Sequence, residues 1–163
     1  MQVEIAVLQS AWGILRDPRW ATNKAFALAV RRLSYAQERT RYEDKLLDLM
    51  IAAEALYLDG ASTELKFQLS VRAAVWNGVP GWTKLEVKQL FGNAYNVRSS
   101  IAHGGDPKAS HLKVIGKIVD IGLFTSTIED LLRAALLKAI DQVAADKDKR
   151  LQIDWDNLIL GAG

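Results

Sequence analysis

The chain has 163 residues, half of them hydrophobic and a quarter charged, which is the balance of one folded domain rather than of a disordered segment. The formal net charge of +2 does not by itself indicate a nucleic-acid-binding protein, and the absence of cysteine excludes disulfides and thiolate metal sites. No apolar run approaches the ~20 residues of a membrane span, and the two histidines, His103 and His111, form no zinc-binding pair. We therefore expect a cytoplasmic protein with no membrane partner, no metal and no other cofactor.

Residues 1–21 carry the weakest pattern. Apolar residues alternate between residues 3 and 7, which fits either a short strand or the start of a helix. From Thr22 onward apolar residues recur at the helical period, with Thr22 or Asn23 as the N-cap. We therefore treat residues 1–21 as a segment of uncertain structure and residues 22–163 as one helical domain.

The helix expected over about residues 42–58 has the densest apolar content. Its apolar residues form two stripes: Leu46, Met50, Ala53 and Tyr57 in the first, and Leu47, Ile51 and Leu58 in the second. A helix with two apolar faces lies at the centre of a bundle. Glu54 falls on the second stripe, where it needs an ion-pair or hydrogen-bond partner because burying an isolated charge is very costly.

Three further helices are expected, over about residues 62–76, 83–102 and 113–146. Ser62 is the expected N-cap of the first of them, and Leu65 is expected on its core face. The last one is expected to carry Ile118 on its apolar face, and the apolar tail, residues 151–160, to pack back on the bundle. The pattern predicts an all-α fold, a single-domain helical bundle of about five helices.

Arg98 and His103 stand at the end of the helix over residues 83–102, directly before Gly104. Glycine after a helix is the usual left-handed stop, so His103 is expected in the last turn or at the cap, where the helix dipole favours a positive charge. Arginine binds phosphate oxygens through its planar fork and histidine exchanges protons near neutral pH, so the pair predicts a phosphate-handling site. If the helix stays regular, Ser99 shares the face of His103, whereas Arg98 lies about 140° from it. Arg98 and His103 then converge only if the last turn bends or a second chain contributes.

The segment R-S-S-I-A-H-G, from Arg98 to Gly104, resembles the R-x(4–6)-H motif of the HEPN superfamily, and most closely of its ApeA-like branch. Three weaker features support this resemblance: the acidic, leucine-rich helix that contains Glu54, the segment L-S-V-R-A-A, and W-D-N-L-I-L-G at residues 155–161. Together they cover roughly residues 22–161. The resemblance implies a helical bundle that commonly dimerises, so that the Arg and His motifs of two chains meet in one cleft. It also implies metal-independent endoribonuclease activity, often in phage-defence or toxin–antitoxin systems.

By position, the resemblance implies that Arg98 and His103 are catalytic and that Glu54 holds the arginine. Ser99 and Tyr95 are the supporting candidates, Tyr95 for stacking on a base or simply as a packed tyrosine. The implied partners are RNA, a second copy of the chain, and an antitoxin or defence-system protein. The residue after the motif arginine is often Asn or Asp in active members, and here it is Ser99. This departure favours the alternative function, a non-catalytic helical module that dimerises or binds RNA or a protein.

Several of these residues also fit purely structural roles. Arg98 fits an interhelical ion pair with Glu54, which is compatible with catalysis, and His103 fits a simple C-terminal cap residue. Arg72 is expected to be an ion-pair partner, and His111, in a polar loop, to be solvated.

Overall fold

A computed structural model describes residues 23–146, 148 and 151–161, which fold into six α-helices and one two-stranded hairpin. The helices are α1, Lys24–Glu38; α2, Tyr42–Tyr57; α3, Leu65–Asn77; α4, Lys84–Ala102; α5, Ile121–Ala145; and α6, Trp155–Leu160. A 3₁₀ turn, Ala109–His111, precedes the hairpin strands β1, Lys113–Val114, and β2, Lys117–Ile118. The segment 1–21 and the N-cap candidate Thr22 lie outside the described residues. None of the described helices is long and apolar enough to cross a membrane.

Helix α2 lies at the centre of the bundle, as its apolar stripes predict. It contacts α1, α3, α4 and α5. The first predicted stripe is fully buried, whereas the second is only partly buried; the other buried apolar positions of α2 are Leu49, Ala52 and Leu56. The all-α helical bundle predicted from the sequence is confirmed.

The start of α3 differs from the prediction. Glu64 adopts a left-handed conformation with φ of +47°, and the helix begins only at Leu65. A right-handed helix cannot pass through such a residue, so Ser62 cannot be its N-cap. Leu65 is exposed, and the core face of α3 is formed by residues further along, Leu69 and Ala73 among them.

The start of the last long helix was also predicted wrongly, because a hairpin occupies residues 113–118. Ile115 and Gly116 both have positive φ, +48° and +75°, which is the geometry of a two-residue turn that matches the twist of antiparallel strands. Helix α5 begins after this hairpin, with the side chain of Asp120 as its cap. Ile118 consequently lies on an exposed strand and not on the apolar face of a helix.

The first half of the C-terminal tail packs back on the bundle, as predicted, through Leu151, Ile153 and Trp155, whereas Leu158, Ile159 and Leu160 are exposed. The ring of Trp155 makes edge contacts with Tyr57 and Trp76, with centroids 6.2 and 6.1 Å apart. Arg72 supports this contact: its guanidinium lies 5.1 Å from the centroid of the Trp155 ring and donates to the Tyr57 carbonyl at 2.7 Å. No ion pair of Arg72 is found among the described residues, so the expected ion-pair role is replaced by a cation–π contact and backbone hydrogen bonds.

Candidate functional site

The end of α4 places His103 as the sequence predicts. The helix stays α-helical through Ala102, and His103 is its C-cap residue. Gly104 follows with φ of +75°, and its N–H donates to the Ile101 carbonyl at 2.9 Å. His103 is exposed, and within the described part of the chain its imidazole makes no hydrogen bond or ion pair. The ring is therefore open to a ligand.

Arg98 forms the predicted interhelical ion pair with Glu54 of α2. Its Nε lies 3.4 Å from Glu54 Oε1, and its Nη2 lies 3.4 Å from Glu54 Oε2. Tight charge-assisted hydrogen bonds are shorter, about 2.7–2.9 Å. The two side chains are 32% and 25% exposed, and Nη1 of Arg98 has no partner among the described residues. The carboxylate thus orients the guanidinium while leaving part of it open to a further anion.

The environment of Glu54 makes its charge depend on Arg98. Burial raises the pKa of the Glu54 carboxyl above its ordinary value, and the nearby guanidinium of Arg98 acts in the opposite direction without cancelling the effect. The ionised form of Glu54 is consequently held mainly by Arg98. Removal of the arginine would leave a half-buried carboxylate without its cation.

Arg98 and His103 do not meet within one chain. Because α4 is regular, their positions are about 140° apart around the helix axis. Arg98 is directed towards α2 through Glu54, and no hydrogen bond or ion pair joins it to His103 in the part of the chain that the structure describes. The sequence analysis gave two ways in which Arg98 and His103 can converge. The regular helix excludes bending of the last turn. The contribution of a second chain stays a prediction.

The two supporting candidates are only partly accessible. Ser99 is half-buried on the face of His103, and its carbonyl accepts the His103 N–H at 3.2 Å. Tyr95 packs against the core cluster, so only part of its ring is free to stack on a base. Both proposed roles stay predictions.

Asp48 is a charged residue whose burial the sequence analysis missed. It lies in α2, and its carboxylate accepts hydrogen bonds from Arg32 Nη1 at 2.9 Å and from Arg39 Nε at 2.7 Å. A usable signal was present, because an acid inside the most apolar helix needs a cation nearby. The contacts join α1 to α2 and give this cluster a structural role.

Glu129 of α5 is the centre of a second buried cluster. Lys45 Nζ lies 2.6 Å from its Oε2, Arg133 Nη2 lies 2.7 Å from its Oε1, and Gln37 donates a further hydrogen bond. The three partners come from α1, α2 and α5 itself. Glu129 therefore ties these three helices together.

Glu129 also gives a testable dependence of stability on pH. Burial acts to raise the pKa of its carboxyl, but the hydrogen bonds from Gln37 and Lys45 and the charges of Lys45 and Arg133 outweigh burial and hold the pKa below the ordinary 4.5. The folded protein therefore releases this proton more readily than the unfolded chain does. The resulting stabilisation is present above pH 4.5 and is lost as the pH falls through the folded-state pKa.

Urea unfolding from about pH 5 to pH 3 should show the wild type losing stability relative to Glu129→Gln. Glu38→Gln, at an exposed site on α1, should run parallel to the wild type, and a pH-independent difference for Glu129→Gln would contradict the assignment.

His111 is not the solvated residue that the sequence predicts. It is half-buried, and its Nδ1 is enclosed with no hydrogen-bond partner among the described residues. In the same part of the chain, no three histidine, aspartate or glutamate side chains are grouped as metal-ion ligands. His103 is thus the more accessible of the two histidines.

Comparison of this chain with protein-family models, with curated proteins and with solved structures finds no match.

Proposed function

We propose that the protein is a metal-independent endoribonuclease of the HEPN type that acts as a homodimer, in defence or toxin-type RNA cleavage. The observation that carries the proposal is the end of α4, where a half-exposed Arg98 is oriented by Glu54 and an exposed His103 follows within the next turn and a half. An accessible guanidinium and an accessible imidazole are two of the groups that metal-independent phosphodiester transesterification uses.

The reaction assigns one task to each group. The ribose 2′-hydroxyl attacks the adjacent phosphorus while a base takes its proton. The bond from phosphorus to the 5′-oxygen of the next nucleotide breaks, and an acid protonates that oxygen. The products are a 2′,3′-cyclic phosphate and a 5′-hydroxyl. His103 acts as base or acid, Arg98 stabilises the charge that builds on the phosphoryl oxygens, and Glu54 positions the guanidinium.

The proposed homodimer has a chemical reason. Attack and departure occur on opposite sides of the phosphorus, and one imidazole cannot serve both sides at once. A two-fold axis near the end of α4 brings a second His103 and a second Arg98 to the same cleft. The separation of Arg98 and His103 around α4 in one chain supports this arrangement.

The proposal is tested by cleavage of labelled single-stranded RNA in the presence of EDTA. The wild type should release fragments that end in a cyclic phosphate. Arg98→Lys keeps a cation beside Glu54, so it should preserve the free energy of unfolding while it lowers the cleavage rate about 10²-fold through loss of the two-point phosphate contact. Arg31→Lys, at an exposed site on α1, is the control and should cleave at the wild-type rate. Equal rates for Arg98→Lys, Arg98→Ala and the wild type would remove the proposed role of Arg98.

A second candidate function is a non-catalytic helical module that dimerises or binds RNA or a protein. It is favoured by Ser99 after the motif arginine and by the modest net charge of +2. This function predicts RNA or partner binding without any product, and detection of a cyclic-phosphate end would exclude it.

A further inference from the structure

A groove of about 660 Å³ lies between α3, α4 and the tip of the hairpin, and neither Arg98 nor His103 lines it. Three lysines line it, namely Lys66, Lys88 and Lys113. No ion pair of these lysines is found within the described ranges. Glu86 is the one acid among the described residues of the lining, and its carboxylate accepts hydrogen bonds from the N–H and hydroxyl of Thr83. The described lining residues of the groove therefore carry three lysines against one carboxylate, which leaves a positive balance.

Apolar side chains are exposed along the same groove. Phe67, Leu85 and Ile115 line it, and each is at least half exposed. The ammonium group of Lys88 lies 5.4 Å from the centroid of the Phe67 ring. Ile115 has φ of +48°, a costly conformation for a β-branched residue, and burial in the core does not offset this cost. The groove thus combines cations with accessible apolar surface, one part of it aromatic.

We infer that this groove binds a segment of single-stranded RNA, with the lysines contacting phosphates and Phe67 stacking on a base. A positive groove with an exposed aromatic ring is the general arrangement by which proteins hold single strands, because every base offers a flat π-face. An acidic protein segment would also be attracted by the lysines. The choice of RNA over such a segment rests on the proposed ribonuclease function and on the exposed ring.

The position of the groove along α4 supports this choice. Leu85, Gly92 and His103 lie within about 20° of one another around the helix axis, so they share one face of α4. The rise from Leu85 to His103 is about 27 Å, and from Gly92 to His103 about 16 Å. A strand held in the groove would need a few further nucleotides to span this distance to His103. The groove is thus a docking site ahead of the proposed cleavage site.

The test measures fluorescence anisotropy of a labelled 12-residue oligouridylate with the full chain carrying His103→Ala, so that no strand is cut. Lys88→Glu with Lys113→Glu should weaken binding at least tenfold. Because each lost phosphate contact removes a released counterion, the slope of log Kd against log salt should fall by about 0.7 per lysine. Phe67→Ala should weaken binding about tenfold without changing this slope, since stacking releases no ions.

Two controls separate the groove from general charge. Lys24→Glu with Arg31→Glu makes the same change in net charge at exposed sites on α1 and should leave binding within about twofold. Duplex RNA should be insensitive to Phe67→Ala, because its bases are already stacked. Equal weakening of binding by both pairs of substitutions would contradict RNA binding in the groove. Binding of poly-glutamate that depends on the groove lysines and is tighter than binding of the oligonucleotide would also contradict it.

The experiments distinguish failure of the groove proposal from failure of the ribonuclease proposal. Binding that is unchanged by Lys88→Glu with Lys113→Glu contradicts RNA binding in the groove, while His103-dependent cleavage by the wild type still supports the ribonuclease. Groove-dependent binding with no cleavage by the wild type supports the groove and overturns the catalytic function instead.

Discussion

If the protein cleaves RNA as proposed, His103→Ala is expected to lower the rate of cleavage by about 10²–10⁴-fold, because it removes the group to which the proposal assigns proton transfer in the transition state. His111→Ala should leave the rate unchanged, and it is the matched control because the chain contains only these two histidines. The measurement is the initial rate of fragment release in EDTA. Rates that agree within a factor of three for wild type, His103→Ala and His111→Ala would remove His103 from the mechanism.

A second substitution separates catalysis from helix capping. The hydrogen bond that closes α4 at His103 comes from its backbone N–H, so an exposed side chain of another type can occupy the cap. Glutamine keeps a polar side chain of similar size but cannot exchange a proton near neutral pH. His103→Gln should therefore fold with wild-type stability, measured by urea unfolding, and be as inactive as His103→Ala. Retained activity in His103→Gln would leave His103 only the cap role.

Removing both arginines that face Asp48 is expected to lower the free energy of unfolding by about 3–5 kcal/mol, because it leaves a buried charge without a partner. The Asp48 side chain is 4% exposed, whereas Arg32 and Arg39 are 33% and 47% exposed. The cluster is therefore asymmetric. The arginines can return to water when Asp48 is replaced, whereas replacing both arginines removes the only two hydrogen-bond donors to the Asp48 carboxylate that are found among the described residues.

The asymmetry predicts a rescue. Adding Asp48→Leu to Arg32→Ala with Arg39→Ala should recover most of the lost stability, since it replaces an uncompensated buried charge by an apolar side chain of similar volume. Urea unfolding measures all variants. Arg31→Ala with Arg41→Ala is the matched pair at neighbouring exposed sites and should cost below about 1 kcal/mol. A triple variant as unstable as the double variant would show that the loss comes from the arginines themselves.

The fold was predictable where apolar periodicity decides it. The stripes of α2 predict its central position, because only burial on several sides accommodates two apolar faces. The prediction fails where single residues adopt left-handed conformations. Glu64 and Ile115 both have positive φ, although neither residue type favours it, and each ends or begins a regular element. Both residues are exposed, so neither residue type nor an apolar pattern marks these positions in the sequence.

The candidate site was predictable to the same extent. Glu54 on an apolar stripe requires a cation, and Gly104 fixes the end of α4, so the positions of Arg98 and His103 at that end follow from the sequence. Asp48 was missed because only apolar residues were used to define the stripes of α2. The helical period predicts the face of a helix on which a residue lies. It does not predict which surfaces of two chains would contact each other.

The regularity of α4 bears on how such an enzyme is controlled. Because Arg98 and His103 leave the helix about 140° apart, an isolated chain holds only part of the proposed machinery. By mass action, cleavage at low protein levels then rises with the square of the chain's concentration until pairing saturates. Under this mechanism, the enzyme is inactive at low chain concentration, and the amount of protein synthesised determines when it becomes active.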